Sequence, residues 1–310
     1  MVYNLIDIII VTNIIIITII IMEKVKKTNL RISSSAKINL FLDVLAKRPD
    51  GYHQIRTIFT EIELADIINF ALTKKGTVKI LSDIDFVSVK ENLIYKVAVF
   101  IKEKYNVKFG VEINLQKKIP ISAGMGGGSS NAASTIMALS ELWDINLPKE
   151  EMHEIAKNFG SDINFFLEGG CALGENRGEK ISYLKQIQLD NIFLVNPGFG
   201  ISSKEAYDAV LLDNYENNDW TKLIEEENTL LCYNKLQEGV CKNYPEIKKI
   251  IDHLLENGAK QAILSGSGAT VIGFCIDRAT AERFSKYYSD IGYWNYITKT
   301  KGVQNEHYRC

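Results

Sequence analysis

The sequence predicts an α+β protein with two domains. The chain has 310 residues, of which 46% are hydrophobic and 24% charged, so it can bury more than one core. After Leu30, short segments of alternating polar and apolar residues are typical of half-buried strands. After Ile192, a βαββ-like order indicates a second α+β layer. No linker marks a boundary, so we place it near residue 185, between domains at 22–185 and 186–310.

Strand patterns dominate the chain before its glycine-rich segment. "LRISSSAKINLFLDVL" predicts a strand, and Pro49, Asp50 and Gly51 form the turn after it. "TIFTEIELADIINFAL" predicts one or two more strands, and "GTVKIL" predicts another. Apolar residues at helical spacing predict a helix over 93–105, and "KFGVEINLQKKIP" predicts the strand that follows it.

Helices alternate with strands in the rest of the chain. "SSNAASTIMALSELW" predicts a helix with alanines on its packing face, and "PKEEMHEIAKNFG" has Pro148 in its first turn and Gly160 at its end. Ser202 or Ser203 could cap a helix in "SSKEAYDAVL". The remaining predicted elements are a strand in "IFLVNPG", a polar surface excursion in "YENNDWTKLIEEEN", a helix in "YPEIKKIIDHLLENGA", a strand–turn–strand unit in "QAILSGSGATVIGFC", a helix in "DRATAERFSKYYSDIG" and a strand in "YWNYITKT".

Charge and cysteine content argue against several classes of protein. The net charge is −2 and there is no basic arm, so nucleic acid is not expected as a partner. The five cysteines are scattered and never form a C-x-x-C pair. This pattern indicates reduced thiols in a cytoplasmic protein rather than disulfides or a zinc cluster. A catalytic thiol is the alternative, although no cysteine lies in a motif.

Residues 1–21 form an apolar, isoleucine-rich stretch with two open interpretations. About 20 apolar residues are enough to span a bilayer, and lysines follow the stretch. However, Asn4, Asp7 and Asn13 interrupt it, and Met22 offers a second start. We therefore expect an extension outside the fold rather than a membrane anchor.

The segment "KIPISAGMGGGSSNAAS" carries the clearest chemical signal. Glycines let the main chain approach a ligand with its N–H groups turned inward, and a helix that begins just after them adds positive potential. The segment therefore predicts a phosphate-binding loop, which we call the glycine loop (residues 118–128). Ser129 and Ser130 could cap the helix, bond a phosphate oxygen or help to hold Mg²⁺.

Other interpretations of the glycine loop are weaker. A structural turn is less expected, because three consecutive glycines cost backbone entropy in any ordered loop. A Walker A loop would need a lysine after the glycines, and none is present. A dinucleotide-binding loop would follow the first strand of a βαβ unit, whereas the preceding segments have an antiparallel pattern.

The same segment closely resembles the ATP loop of the GHMP kinases, a superfamily of small-molecule kinases. Residues 263–274 resemble its C-terminal glycine motif, and residues 159–179 resemble the segment with its catalytic aspartate. The resemblance implies an N-terminal ATP-binding domain, a ferredoxin-like α+β C-terminal domain, and ATP and Mg²⁺ in the reaction. The residues implied in ATP binding are Asn92, Lys117, Pro120, Ile121, Ser122, Ala123, Gly124, Met125, Gly126, Gly127, Gly128, Ser129 and Ser130.

The resemblance also implies that Asp162 is the general base and Lys37 its charged partner. A carboxylate within hydrogen-bond reach can take the proton of a hydroxyl nucleophile, and a nearby ammonium group keeps that carboxylate ionised. From spacing alone, Asp162 could equally cap a helix that begins near Ile163, with Lys37 on a solvated strand face.

Residues 33–59 resemble the signature of one branch of the superfamily, whose members phosphorylate a cytidyl-bearing alcohol. This resemblance implies that Asn39, Tyr52, His53 and Tyr207 bind the substrate. Aromatic stacking and polar contacts to its edge are the usual means of holding a pyrimidine. Ordinary packing of the two tyrosines and a loop role for His53 are the alternatives.

Three residues depart from the pattern of this branch. Asn164 and Ala269 stand where proline is usual, so these loops are expected to be less rigid, and Asn131 stands where aspartate is frequent. Competing functions are another GHMP kinase of the homoserine or mevalonate type, a non-catalytic metabolite sensor and a membrane-tethered scaffold. We expect small-molecule substrates, a cytoplasmic location and a monomer or homodimer.

Overall fold

The computed structural model describes residues 27–84, 88–212 and 220–302. Within these ranges the strands form two sheets. The strands are β1 Asn29–Lys47, β2 His53–Thr73, β3 Val78–Ser82, β4 Gly110–Gln116, β5 Cys171–Asn176, β6 Lys180–Tyr183, β7 Ile192–Asn196, β8 Tyr233–Asn234, β9 Ala259–Leu264, β10 Val271–Cys275 and β11 Trp294–Thr298.

Helices cover one face of each sheet and connect many of the strands. They are α1 Leu93–Lys104, α2 Gly127–Leu142, α3 Lys149–Lys157, α4 Ile163–Phe166, α5 Ser203–Asp208, α6 Trp220–Glu225, α7 Gln237–Asn243, α8 Pro245–Glu256 and α9 Arg278–Asp290. Most elements predicted from the sequence, and the α+β class itself, are confirmed.

The first sheet is built around the long antiparallel pair of β1 and β2. Its order is β3-β4-β2-β1-β8, and the pair β5 and β6 extends it from β2. Helices α1 and α2 pack on one face of this sheet, where Ile68, Ile113 and Ile136 belong to one buried cluster. Because α2 follows β4 directly, the glycine loop between them lies at the edge of this helix layer.

Two register shifts in the pairing of β1 with β2 surround a three-residue stretch, Lys37–Asn39. Such bulges re-aim side chains and are common beside functional sites. Side chains alternate along a strand, and Ile38 and Leu40 pack toward the second sheet. Lys37 and Asn39 therefore face the opposite side, toward the glycine loop.

The second sheet has the order β11-β7-β10-β9, and all its pairs are antiparallel. Along β7, Phe193 and Val195 pack in the same cluster as residues of α8 and α9, whereas Ile192 and Leu194 pack against β1 and β2. This alternation makes a shared core between the two sheets, so the second layer is fixed against the strand that carries Lys37.

The chain after β11 also ties the second layer to the first. Residues 299–301 run beside β2, where Thr300 forms an isolated bridge with Ile62. The backbone N–H of Lys301 donates to the carbonyl of Glu61, and its ammonium group donates to Ser35 Oγ at 3.0 Å. These contacts hold the sheets together beside the chain connection near residue 185, since Gln186 Nε2 donates to the carbonyl of Lys301 at 2.8 Å and the backbone N–H of Leu189 donates to Thr300 Oγ1 at 2.9 Å.

Three features differ from the sequence predictions. β3 and β4 pair in parallel across α1, so the pattern before the glycine loop is not antiparallel throughout. The predicted polar excursion contains the helix α6, in which Leu223 and Ile224 are buried. The short strand β8, from the second half of the chain, joins the first sheet beside β1. The domain boundary near residue 185 stays a prediction.

Some predictions concern residues that the structure does not describe. The interpretations of residues 1–21 and of Met22 lie outside the described residues. Over 27–84, 88–212 and 220–302, no helix combines the length and the apolar character that crossing a membrane requires. Cys171, Cys232, Cys241 and Cys275 are free thiols, and Cys310 lies outside the described ranges.

Candidate active site

A cleft of about 1100 Å³ lies between the glycine loop, the bulged part of β1, and the beginning of α5. Residues 266–267, in the glycine turn between β9 and β10, contribute to the same wall. Every residue that the sequence analysis assigned to the site lines this cleft except Ser130. None of the four described cysteines does, which argues against the catalytic-thiol alternative.

The glycine loop meets the second glycine turn at van der Waals distance. Gly124 has a positive φ of 74°, and a Cβ atom there would lie 1.9 Å from the carbonyl oxygen of Ser265. Gly126, at φ 68°, precedes the first residue of α2, and a Cβ atom there would lie 2.9 Å from the Phe166 ring. These glycines allow the loop, the turn and the Asp162 segment to converge on one place.

Gly124→Ala is expected to destabilise the protein by about 2 kcal/mol or more, because the new methyl group combines a positive φ with overlap on a backbone carbonyl. Thermal unfolding of the variant would measure this effect. Gly128→Ala is the matched control, since its Cβ atom would meet nothing closer than 3.8 Å and its backbone is helical. Equal melting temperatures for the two variants would contradict the proposed contact.

Asp66, in β2, anchors the start of the glycine loop and was missed by the sequence analysis. Its carboxylate accepts the backbone N–H groups of Lys118 and Ile119 at 2.8 and 2.9 Å. It also accepts Lys117 Nζ at 2.5 Å and Asn131 Nδ2 at 3.1 Å. The carboxylate is fully buried. The available signal was one acid inside the apolar run "LADIINF".

Lys37 lies at the centre of the cleft beside Asp162. Its ammonium nitrogen is 3.6 Å from Asp162 Oδ2 and donates to Asn39 Oδ1 at 2.6 Å. Asn39 Nδ2 in turn donates to Thr57 Oγ1, which donates to the carbonyl of Phe41. Only 5% of the Lys37 side chain is exposed, so the solvated strand face that spacing alone allowed is wrong.

Burial of Lys37 and the neighbouring charge of Asp162 have opposite effects on the pKa of Lys37. Burial lowers the pKa of Lys37, and the negative charge of Asp162 acts in the opposite direction. Asp162 immediately precedes α4, but its side chain makes no capping hydrogen bond, so the helix-cap alternative is also wrong. The carboxylate is one-third exposed and faces the cleft.

Asn164 holds the segment that carries Asp162. Its Oδ1 lies 3.0 Å from Nδ1 of His153, and the other ring nitrogen of His153 lies 3.3 Å from Glu168 Oε1. Asn164 is buried, together with Ile163 and Phe165 of α4. A side-chain contact to α3 therefore restrains the position where the sequence analysis expected a looser loop.

Aromatic side chains form the other end of the cleft. His53 and Tyr207 are stacked, with ring centroids 5.2 Å apart and planes inclined by 20°. Tyr52 is 57% exposed, and the Arg177 guanidinium carbon lies 4.8 Å from its ring centroid. Burial, assisted by the charge of Lys47, lowers the pKa of His53, which favours a neutral imidazole with one donor and one acceptor. Such a group matches the mixed polar edge of a pyrimidine.

Ser130 does not reach the cleft. Its hydroxyl lies 2.7 Å from Ser34 Oγ in β1, and the residue is buried. In the first turn of α2, the side chain of Ser130 therefore points to the strand β1 instead of the cleft. Its predicted contact with ATP through the side chain is therefore corrected to a helix–strand packing contact.

This chain is similar in sequence to small-molecule kinases. Profiles described as the GHMP kinases N terminal domain and GHMP kinases C terminal match residues 92–170 and 211–293. A 4-diphosphocytidyl-2-C-methyl-D-erythritol kinase of Thermoanaerobacter pseudethanolicus is 42% identical over 84% of this chain and 92% of its own length. The kinase of the same name from Bacillus subtilis is 41% identical over 77% of this chain and 85% of its own.

A solved structure gives the same result. The crystal structure of a 4-(cytidine 5'-diphospho)-2C-methyl-D-erythritol kinase superposes with a TM-score of 0.76 and 26% identity, and the match covers 88% of this chain and all of that one. The resemblance inferred from the glycine motifs is thereby confirmed. This chain belongs to the 4-diphosphocytidyl-2-C-methyl-D-erythritol kinase family of the GHMP kinases.

Proposed function

We propose that this protein transfers the γ-phosphate of ATP to the 2-hydroxyl of 4-diphosphocytidyl-2-C-methyl-D-erythritol, giving the 2-phosphate and ADP. The observation that carries the proposal is the Lys37–Asp162 pair, which lies in one cleft with the glycine loop and the aromatic group of Tyr52, His53 and Tyr207. Family membership supports the same reaction, which belongs to the non-mevalonate route to isoprenoids.

Asp162 acts as the general base in this proposal. The attacking hydroxyl is on a carbon that also carries a methyl group, so it is a weak and hindered nucleophile, and removal of its proton by a carboxylate assists the attack. Lys37 places a positive charge 3.6 Å from that carboxylate and orients the hydroxyl. The hydrogen bond from Lys37 to Asn39 fixes the ammonium group before substrate arrives.

The glycine loop and the first turn of α2 bind the ATP phosphates. Backbone N–H groups at a helix start favour an anion, and the loop is held rigidly by Asp66. Over the described residues, no group of three or more His, Cys, Asp or Glu side chains is arranged to hold a metal ion. Kinase Mg²⁺ is typically bound by substrate phosphates and one or two protein oxygens, so the cleft-lining Ser129 hydroxyl fits it. Mg²⁺ would neutralise charge on the phosphates.

His53→Ala is expected to raise the KM for the cytidyl substrate by about tenfold or more and to leave the KM for ATP nearly unchanged. The change removes a ring that stacks on Tyr207 and would hydrogen-bond the pyrimidine at this end of the cleft. Steady-state kinetics with each substrate varied in turn would measure both constants. His253→Ala is the control, because that histidine packs against Tyr287 on α9, away from the cleft. An equal rise in both KM values would contradict the assignment.

The experiment that tests the function compares three alcohols. ATP consumption is measured with 4-diphosphocytidyl-2-C-methyl-D-erythritol, homoserine and mevalonate at matched concentrations. Strong turnover with the first alone is expected. Turnover with homoserine or mevalonate instead would retain a GHMP kinase activity and overturn the cytidyl pocket, and binding of ATP without turnover of any alcohol would favour a sensor.

The cellular setting belongs to the same proposal. The free thiols among the described cysteines and the lack of a basic surface arm support a reducing, cytoplasmic setting and small-molecule partners rather than nucleic acid. A monomer or homodimer is the expected assembly.

A further inference from the structure

Arg177 occupies the tip of the turn between β5 and β6 and lines the active-site cleft. Asn176 and Gly178 on either side of it have positive φ angles of 62° and 100°, which produce a tight turn. The backbone N–H of Gly178 donates to the carbonyl of Glu175 at 2.9 Å and closes the turn. The backbone therefore holds Arg177 at one place, with its guanidinium group over the Tyr52 ring.

The guanidinium group of Arg177 is weakly paired compared with the other cations in the cleft. Lys117 contacts Asp66 at 2.5 Å and Lys204 contacts Asp208 at 2.6 Å, and Lys37 is hydrogen-bonded to Asn39. The ion pair from Arg177 Nε to Glu179 Oε1 is longer, at 3.9 Å. Glu179 instead accepts the backbone N–H of Arg177 at 2.8 Å through its other oxygen. Most of the guanidinium donors thus stay available to a ligand.

The neighbours of Arg177 place it with the cytidyl half of the cleft rather than with the glycine loop. Tyr52 belongs to the turn that follows β1, and its backbone N–H donates to Asp50. Arg48 braces this turn by pairing with the same Asp50 carboxylate at 2.8 Å. Tyr52 would offer one ring face to the pyrimidine and the other to Arg177, an arrangement in which cation–π contact orients both groups.

We propose that Arg177 binds the diphosphate group of the cytidyl substrate and so selects a nucleoside diphosphate over an uncharged nucleoside. This inference rests on the proposed function. The planar fork of a guanidinium group matches phosphate oxygens, and a base stacked on Tyr52 brings its diphosphate close to this side chain. Arg48 already pairs with Asp50, and Arg177 is the cation that offsets the neighbouring Glu179 carboxylate where a diphosphate would lie.

Arg177 could contact the diphosphate or could merely support the Tyr52 ring, and the affinities of the full-length protein for cytidine and for CDP distinguish these two roles. Calorimetric titrations are made with a non-hydrolysable ATP analogue present, so that CDP cannot occupy the ATP site. Arg177→Met is expected to weaken CDP binding about tenfold or more and to leave cytidine binding within about twofold. Arg177→Lys, which keeps the charge without the fork, is expected to restore part of the CDP affinity.

Arg278→Met is the matched control, because Arg278 is an exposed residue of α9 paired with Glu282, and both affinities should equal those of the wild type. Thermal unfolding of each variant checks that the fold is intact. Equal losses for cytidine and CDP in Arg177→Met would overturn the proposal in favour of mere support of Tyr52, and unchanged CDP affinity would also overturn it. A wild-type protein that binds the ATP analogue but not CDP would contradict the proposed function itself.

Discussion

Asp162→Asn is expected to lower kcat by about 10³-fold while the KM for ATP and the fold stay nearly unchanged, because the amide cannot accept the hydroxyl proton. Asparagine has the same shape, and the change removes the 3.6 Å ion pair with Lys37. The carboxylate is one-third exposed, so the free energy of unfolding should fall by no more than about 1 kcal/mol. Steady-state kinetics and thermal unfolding measure the two effects.

The control for this variant is Asp252→Asn, which removes a carboxylate that pairs with Lys248 on the surface of α8, outside the cleft. Its kcat should equal that of the wild type. Near-normal turnover of Asp162→Asn would end the assignment of Asp162 as the base.

Lys37→Met is expected to lower kcat by about 10²-fold or more without loss of stability, since it removes an oriented positive charge from the reacting groups. Methionine has a similar length and can fill the buried space beside Phe59. The buried ammonium group is costly to desolvate, as the lowered pKa of Lys37 indicates, so its removal offsets the loss of the hydrogen bond to Asn39.

The measurement is kcat together with the melting temperature of Lys37→Met. A low kcat with an equal or higher melting temperature is the expected pair of results. A protein that melts far lower but keeps its turnover would show that Lys37 supports the fold instead of the reaction. Lys301, which also lies beside β1, offers a comparison: Lys301→Met should weaken the contact between the layers and spare kcat.

The local sequence was sufficient to predict the glycine loop and the helix after it. Both features, close approach of the backbone to a ligand and the start of a helix, depend on residues that are neighbours in the sequence. Gly124 and Gly126 could be recognised for this reason, and the family resemblance added Lys37 and Asp162. Side-chain direction depends on the tertiary packing, so the inward turn of Ser130 could not be predicted. The role of Asp66 could not be predicted either, because its hydrogen-bond partners are 51–65 positions away along the chain.

The sheet topology was also only partly predictable. Strand patterns located β3 and β4, but their parallel pairing depends on how α1 crosses between them. Strand β8 is too short to leave a periodic signal, and the apolar residues of α6 are masked by acidic neighbours. Nothing in the sequence pointed to a ligand-binding role for Arg177 beyond its place in the matched segment. Its position above the Tyr52 ring arises because two turns that are distant in the sequence meet in the fold.

The most direct test of the account is to follow the phosphate itself. The full-length protein is incubated with ATP, Mg²⁺ and 4-diphosphocytidyl-2-C-methyl-D-erythritol, and the products are observed by phosphorus NMR. The account predicts one new phosphate monoester signal, whose phosphorus–carbon coupling assigns it to the 2-position. The diphosphate signals of the substrate should stay intact, and ADP should form in an amount equal to the monoester. Release of inorganic phosphate without the new monoester, or a monoester at another hydroxyl, would contradict it.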